Sequence, residues 1–274
     1  HSLNIKTDEY GNALESAAVV YPRKVADTSL PTETQQEQNK TVIIYKQNRF
    51  TNDVISEEEY RLRLPSEVLT CELKGVPKSG EYYVPSDFND ILSDTRSDTA
   101  QYQETDKPLT PGKSQRRLIE QIRTTYYRND LAGQLPLHEL QSPALPFESY
   151  QLAYTPELIT DLFGTRVSGA LLTEGNFTHS DGDENWWIPS GITRFIRQAE
   201  TAADAQNRFY TPVSYTDPAG ATTQVTYYSN YFLFVEETED TVGNKARVEK
   251  FNFRTLSPQR IRDINGNLAE TISD

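Results

Sequence analysis

Near its C-terminus the chain repeats one short pattern at a fixed interval. Asp217-Pro-Ala-Gly220, Asp240-Thr-Val-Gly243 and Asp263-Ile-Asn-Gly266 begin 23 residues apart, and Asn244 and Asn267 follow the last two. A fourth copy, Asp8-Glu-Tyr-Gly11 with Asn12 behind it, opens the sequence. A constant period in this range marks a repeated supersecondary unit. Aspartate at the first position of a type I turn accepts from the backbone two residues on, and glycine suits the fourth, where φ is often positive. Pro218 falls at the second position, where its fixed φ is favoured, and asparagine after glycine tolerates the left-handed region. Each motif is expected to be the tip of a β-hairpin.

The flanks agree. Thr222–Tyr228 (TTQVTYY) and Tyr231–Val235 (YFLFV) are rich in the β-branched and aromatic residues that pleated surfaces favour. Phe251 and Phe253 alternate with Asn252 and Arg254, the period of a strand with one covered face. Two strands per period leave roughly 8 to 10 residues for each. A row of hairpins has open edges, which proteins cover or pair. Further repeats are therefore expected beyond Asp274 in a longer parent, and a chain that starts at His1 and lacks methionine reads as an excised piece.

Further strands are expected at Leu14–Tyr21, Thr41–Gln47 and Val68–Leu73, and Thr124–Tyr127 favours strand over helix for Arg117–Tyr127. Short helices are expected at Ser86–Leu92, Pro156–Phe163 and Arg197–Arg208. Pro31–Lys40 (PTETQQEQNK) and Ser93–Lys107 (SDTRSDTAQYQETDK) are almost devoid of apolar groups and read as exposed loops or partly disordered insertions. The fold class that follows is mainly β: a curved antiparallel sheet of hairpins with a few short helices.

Composition excludes several roles. The 274 residues suffice for a sizeable core, and 36% hydrophobic with 24% charged residues suits neither a disordered tail nor a membrane protein. No apolar run approaches the ~20 residues needed to span a bilayer, and no secretory signal is visible. A net charge of −13 opposes nucleic acid and anionic membrane surfaces. The basic run Lys113–Arg123 reads as a solvated face. The one cysteine, Cys71, rules out an internal disulfide, and neighbours Leu69, Thr70 and Leu73 mark it as a buried thiol. His1, His138 and His179 are too few and scattered for a zinc site.

Asp181, Asp183 and Asn185 imitate the first ligands of a calcium loop, but Trp186 and Ile192 occupy the places of its glycine and bidentate glutamate. A polar turn ahead of two aromatic residues is the simpler reading. Trp186 and Trp187, adjacent on a strand, point to opposite faces. Packing is preferred for them over a sugar-stacking platform, which leaves them as glycan-binding candidates in second place. Asp181, Asp183, Glu184 and Glu174 are near enough in sequence for a glycosidase pair, but forty acidic residues produce such clusters by chance. There is no G-x-S-x-G elbow and no glycine-rich phosphate loop. No catalytic, cofactor-binding or metal-binding residue is expected.

Five runs resemble one family. Tyr60–Gly75 (YRLRLPSEVLTCELKG), Arg128–Leu137 (RNDLAGQLPL), Ala144–Tyr150 (ALPFESY) and Asp181–Gly191 (DGDENWWIPSG) are similar to the middle and C-terminal region of the B component of insecticidal toxin complexes (Tc toxins). Tyr215–Gly220 (YTDPAG) resembles the start of that component's RHS/YD repeats. The likeness runs from about Asp8 to the end, with gaps at the two polar stretches. It implies a region at 1–210, β-rich with insertions at about 31–40 and 93–107, followed by repeat hairpins at 211–274. It also implies a role: a wall segment of the hollow shell that B and C components form around the toxic C-terminus of C. The parent's β-propeller would meet the pore-forming A component. The complex would be assembled in the bacterial cytoplasm and act outside the cell, without nucleic acid, cofactor or membrane insertion by this segment. Self-cleaving ends of related C components use two D-P-x-G motifs; here only Asp217–Gly220 has that form, so no self-cleavage is expected. A surface-displayed repeat module that binds carbohydrate or a host receptor is the alternative.

Overall fold

Residues 1–272 are described by the computed structural model, which is mainly β, with open sheets paired antiparallel except for one strand. β1 (Ser2–Thr7) and β2 (Ala13–Val20) flank the Asp8 tip, and α1 (Thr32–Gln38) leads to β3 (Val42–Phe50). The short β4 (Val54–Ile55) and β5 (Tyr60–Arg61) pair with each other ahead of β6 (Pro65–Lys74). Then come β7 (Ser97–Ala100), β8 (Ser114–Tyr126), β9 (Pro146–Tyr154), α2 (Pro156–Phe163), α3 (Gly169–Glu174) and β10 (Trp186–Pro189). β11 (Ile192–Arg194), α4 (Ala202–Asn207) and β12 (Ser214–Thr216) precede the repeat strands. Those are β13 (Thr222–Tyr227), β14 (Val235–Glu239), β15 (Lys245–Asn252), β16 (Ser257–Arg262) and β17 (Leu268–Glu270).

One sheet has the order β1-β2-β3-β6-β8-β9-β10, with β7 parallel beside β8. The other runs from β11 to β17 in chain order, each strand paired with the next. Two compact units interleave along the chain: residues 1–52, 63–123 and 151–188 form the first, and residues 53–62, 124–150 and 189–274 the second.

In the first unit, period-two patterning becomes a core. Ala17 and Val19 of β2, Ile43 and Tyr45 of β3, and Cys71 and Leu73 of β6 are buried together with Phe88 and Ile91. Each large aliphatic group so covered contributes about 1.5–3 kcal/mol. Tyr45 donates its hydroxyl to Glu15 at 2.6 Å, and burial, with that carboxylate, pushes the phenol up. Burial likewise raises the Cys71 thiol to about 11, so it stays protonated at neutral pH. The second unit has a smaller centre. Tyr127 stands edge-on to Phe147 and Phe195, with Leu131 and Ala205 beside them, and donates its hydroxyl to the Thr193 carbonyl at 2.9 Å.

Several local expectations are corrected. Pro31–Lys40 contains helix α1, none of it buried. Glutamine and glutamate are good helix formers, and Lys40 pairs with Glu37 one turn back. Ser93–Lys107 contains β7, with Ser97 and Ala100 buried. Its charges are matched across to the basic run: Asp98 pairs with Lys113 at 2.8 Å and Asp94 with Arg116 at 2.5 Å. All of that run but Lys113 lies in β8, where Arg123 is buried rather than solvated.

Ser86–Leu92 holds only a 3₁₀ turn at Pro85–Phe88, because Asp90 takes a positive φ that stops the helix. The helix expected at Arg197–Arg208 shrinks to α4, and α3 had no counterpart among the expectations. Tyr231–Val235 is not a strand. Ser229 and Phe232, both with positive φ, turn the chain there, and β14 begins only at Val235. Phe253 lies beyond the end of β15, in the turn that leads to β16. Three of the four strands are shorter than expected, with 6, 5 and 6 residues in β13, β14 and β16, while β15 has the expected 8.

Candidate functional site

The repeated corners share one geometry. In each, the N–H of glycine donates to the carbonyl of its aspartate: Gly11 to Asp8, Gly220 to Asp217, Gly243 to Asp240 and Gly266 to Asp263, all at 3.0–3.1 Å. The aspartate N–H donates to the carbonyl of the residue after glycine at 2.9–3.0 Å. The four glycines have φ of 82–87°, and a Cβ would meet nothing within 4 Å at any of them. Glycine is required here by backbone angle, not by space. This is a type I turn with a glycine bulge, which joins β1 to β2, β12 to β13, β14 to β15 and β16 to β17.

The asparagine does something other than tolerate a left-handed angle. No positive φ occurs at Asn12, Asn244 or Asn267. Their backbone N–H groups donate to Oδ1 of Asp8, Asp240 and Asp263 at 2.8–2.9 Å, while their side-chain amides donate to Oδ2 at 2.8–2.9 Å. The asparagine bonds hold the Asp240 and Asp263 carboxyls below the usual range. At Asp8, desolvation pulls upward and is outweighed by Asn12, the Tyr10 N–H and Arg63. The Asp217 tip has Ala221 in that place and keeps only the backbone bond, at 2.8 Å.

Two further contacts fix the array. Thr241, second in its tip, donates its hydroxyl to the Thr222 carbonyl at 3.1 Å and accepts from the Thr222 N–H, which ties one corner to the preceding hairpin. Gly191, φ 86°, lies where a Cβ would come within 2.5 Å of the Thr216 carbonyl and 2.8 Å of the Tyr215 hydroxyl. Tyr215 itself donates to the Ser190 carbonyl at 2.6 Å. The first repeat hairpin is therefore seated by a close backbone approach that only glycine permits.

The repeat sheet has two unlike faces. Val225, Thr238 and Ala246 stand in register on one, followed by Val248, Ile261 and Ala269. On the other, Lys245 pairs with Glu237 at 2.9 Å and Glu239 at 3.1 Å, and Arg262 with Glu249 at 2.7 Å. Away from the tips, Tyr228, Phe234, Phe251 and Phe253 cluster with ring centroids 5.0–6.1 Å apart. Among the described residues from Tyr215 onward, none is buried.

The tryptophans sit differently. Trp187 is 0% exposed, and its Nε1 donates to Asp183 Oδ1 at 2.9 Å. Asp183 Oδ2 accepts from Arg123 at 2.8 Å, and that guanidinium lies 4.2 Å over the Trp187 ring. Arg123 also donates to Glu67 at 2.9 Å, where Gln121 donates at 2.7 Å and Arg49 pairs at 3.2 Å. Burial would lift the Glu67 carboxyl, but Arg123, Gln121 and Arg49 hold it below the usual range. Trp186 is half-buried against His179 and over Gly169. Trp187 has no open face for sugar stacking, while Trp186 keeps part of its surface exposed.

Asp183, a calcium-loop imitator by sequence, has both oxygens committed to protein donors. Among the described residues no cluster of three or more His, Cys, Asp or Glu groups stands together as a metal site. No helix among them is long and apolar enough to cross a membrane. The sequence reading missed the Glu67–Arg123 pair and the role of Gly191. A charge lodged in the alternating strand PSEVLTCELK was the available signal for the first.

No family model and no curated protein sequence matches the chain. Solved structures do. The crystal structure of TcdB2-TccC3 matches 100% of this chain with a TM-score of 0.68 at 20% identity, over 13% of its own length. That of TcdB2-TccC3-TEV also gives 0.68, at 21% identity and the same coverage. The Photorhabdus luminescens Tc holotoxin pore gives 0.62 at 19% identity, over 96% of this chain and 12% of that one. The chain thus shares its fold, end to end, with about an eighth of a Tc toxin subunit.

Proposed function

We propose that this chain is a non-catalytic wall segment of the shell that B and C components of a bacterial toxin complex build around a toxic effector. The observation that carries the reading is the repeat sheet. It is an open single layer of hairpins held by local corners and strand pairing, with one mainly apolar face and one charged face, and among the described residues from Tyr215 onward none is buried. Such a layer suits a wall and provides no enclosed pocket for chemistry. The fold likeness to TcdB2-TccC3 over the whole chain supports the same assignment. In this reading the C component is both shell partner and cargo, and the parent's propeller meets the A component. The complex forms in the bacterial cytoplasm and works outside the cell.

The test is co-expression of the parent polypeptide with a C component, followed by limited proteolysis of the complex. The effector region is expected to resist protease in the wild type and to be cleaved when the Gly191→Ala variant opens the wall. An effector equally sensitive with and without this segment would overturn the proposal.

A further inference from the structure

The first unit contains a cavity of about 490 Å³ that the wall reading does not use. Its position follows from strand geometry. β7 runs parallel to β8 and ends at Ala100, opposite Arg117. β9 approaches the same strand from the other end: Tyr127 N–H bonds the Leu145 carbonyl and Thr124 meets Ser149, so the pairing is antiparallel. The carboxyl ends of β7 and β9 therefore run toward each other along β8 and stop short of meeting.

The floor is irregular at the same spot. Thr70 of β6 pairs with Glu120, but Cys71 pairs with Leu118, so Ile119 is the extra residue of a β-bulge. Successive strand residues normally face opposite ways. Here Leu118, Ile119 and Glu120 all line one cavity, as a bulge permits. All three are only half-buried, although β8 lies within the sheet.

The walls are formed too. After β9 the Thr155 hydroxyl caps α2 by accepting from the Leu158 N–H at 3.2 Å, which sets Leu158 and Leu162 over the opening. Gln103, beyond β7, donates to Asp161 of α2, so the rim is tied on both sides. The bases Arg117, Arg116 and Lys107 bond lining residues from outside, and each is paired with an acid. Arg117 donates to Glu72 at 2.9–3.0 Å and to the Tyr102 carbonyl at 2.8 Å. Arg116 donates to the Thr99 hydroxyl at 3.1 Å and pairs with Asp94, and Lys107 donates to the Thr99 carbonyl at 3.2 Å and pairs with Glu104. Glu120 is the charged group of the lining, and one of its oxygens accepts from Thr70 at 3.2 Å.

We propose that the cavity at the head-on junction of β7 and β9 is a binding site for a small molecule with an aromatic or branched apolar body and a cationic, hydrogen-bond-donating end. Its volume lies in the range of small-ligand pockets, about 300–1,000 Å³. The apolar lining takes the body, and Glu120 takes the donor.

Titration of the full chain with two probes tests this, tryptamine and indole-3-propionate, which share a ring and differ in charge. Ligand-observed NMR is expected to give saturable binding of tryptamine, at least about tenfold tighter than the anion. Ala153→Trp, which fills the cavity, is expected to abolish it, and Glu120→Gln to bring the two probes within a few-fold of each other. Circular dichroism controls for folding, and if Ala153→Trp unfolds, Leu162→Trp at the exposed rim replaces it. Absence of saturable binding, equal affinity for both probes, or tryptamine binding that survives the folded cavity-filling variant would each overturn the site.

Discussion

The two sheets are made of similar strands and stabilised in different ways. The first unit hides Tyr45, Leu73, Phe88, Ile91 and Trp187 almost completely, and it buries an Arg123–Glu67 ion pair whose partners come from four separate stretches of chain. The repeat sheet hides nothing after Ser214 among the described residues, and its contacts join neighbours. The first is specified by long-range packing, where one error propagates. The second behaves as a quasi-one-dimensional array, in which each hairpin depends on its own corner and its nearest neighbours. A wall can be lengthened by adding such units; a core cannot.

The largest loss of stability is expected at the buried pair. Arg123→Met leaves Glu67 buried without its main partner and is expected to cost about 3–5 kcal/mol in chemical denaturation. The effect should depend on pH. Glu67 has a folded value below its ordinary 4.5, so its contribution is complete above about 4.5 and is lost as pH falls through the depressed value. The gap between wild type and variant should therefore narrow in acid. A gap that does not narrow over the acid range in which both proteins stay folded would remove Glu67 from the account.

Next in size is Gly191→Ala, which combines a left-handed residue with a backbone clash at Thr216. A cost of roughly 2–4 kcal/mol is expected, with faster hydrogen exchange across β11 to β13 and little change in β1 to β3. Gly243→Ala meets no neighbour and carries only the conformational penalty, about 1 kcal/mol. Its exchange effect should stay within β14 and β15; spread through all repeat strands would refute the one-dimensional picture. Smallest is a gain. Ala221→Asn supplies the amide that the other three corners have, and thermal unfolding should shift upward by about 1 °C.

Legibility in the sequence followed the range of the forces. The Asp/Gly corners were visible because a turn is decided within five residues by φ and short hydrogen bonds. Helix α2 was visible because Thr155, Pro156 and an apolar stripe announce it locally. The run Tyr231–Val235 misled because β-propensity measures fit to a pleated surface, and here Ser229 and Phe232 turn the chain before a strand can begin. The stretch 93–107 misled for the opposite reason. Its polarity suggested solvent, yet those charges answer the basic residues of β8.

The sequence by itself determined the mainly β character, the spacing of the corners and the burial of Cys71, since each rests on local geometry or on period-two patterning. Only the tertiary structure decided that Arg123 joins Glu67 to Asp183 and Trp187, that Gly191 seats the first repeat, and that β7 and β9 point at each other across a gap over a bulge. Those arrangements are set by residues dozens of positions apart, whose interactions exist only after the sheets have formed.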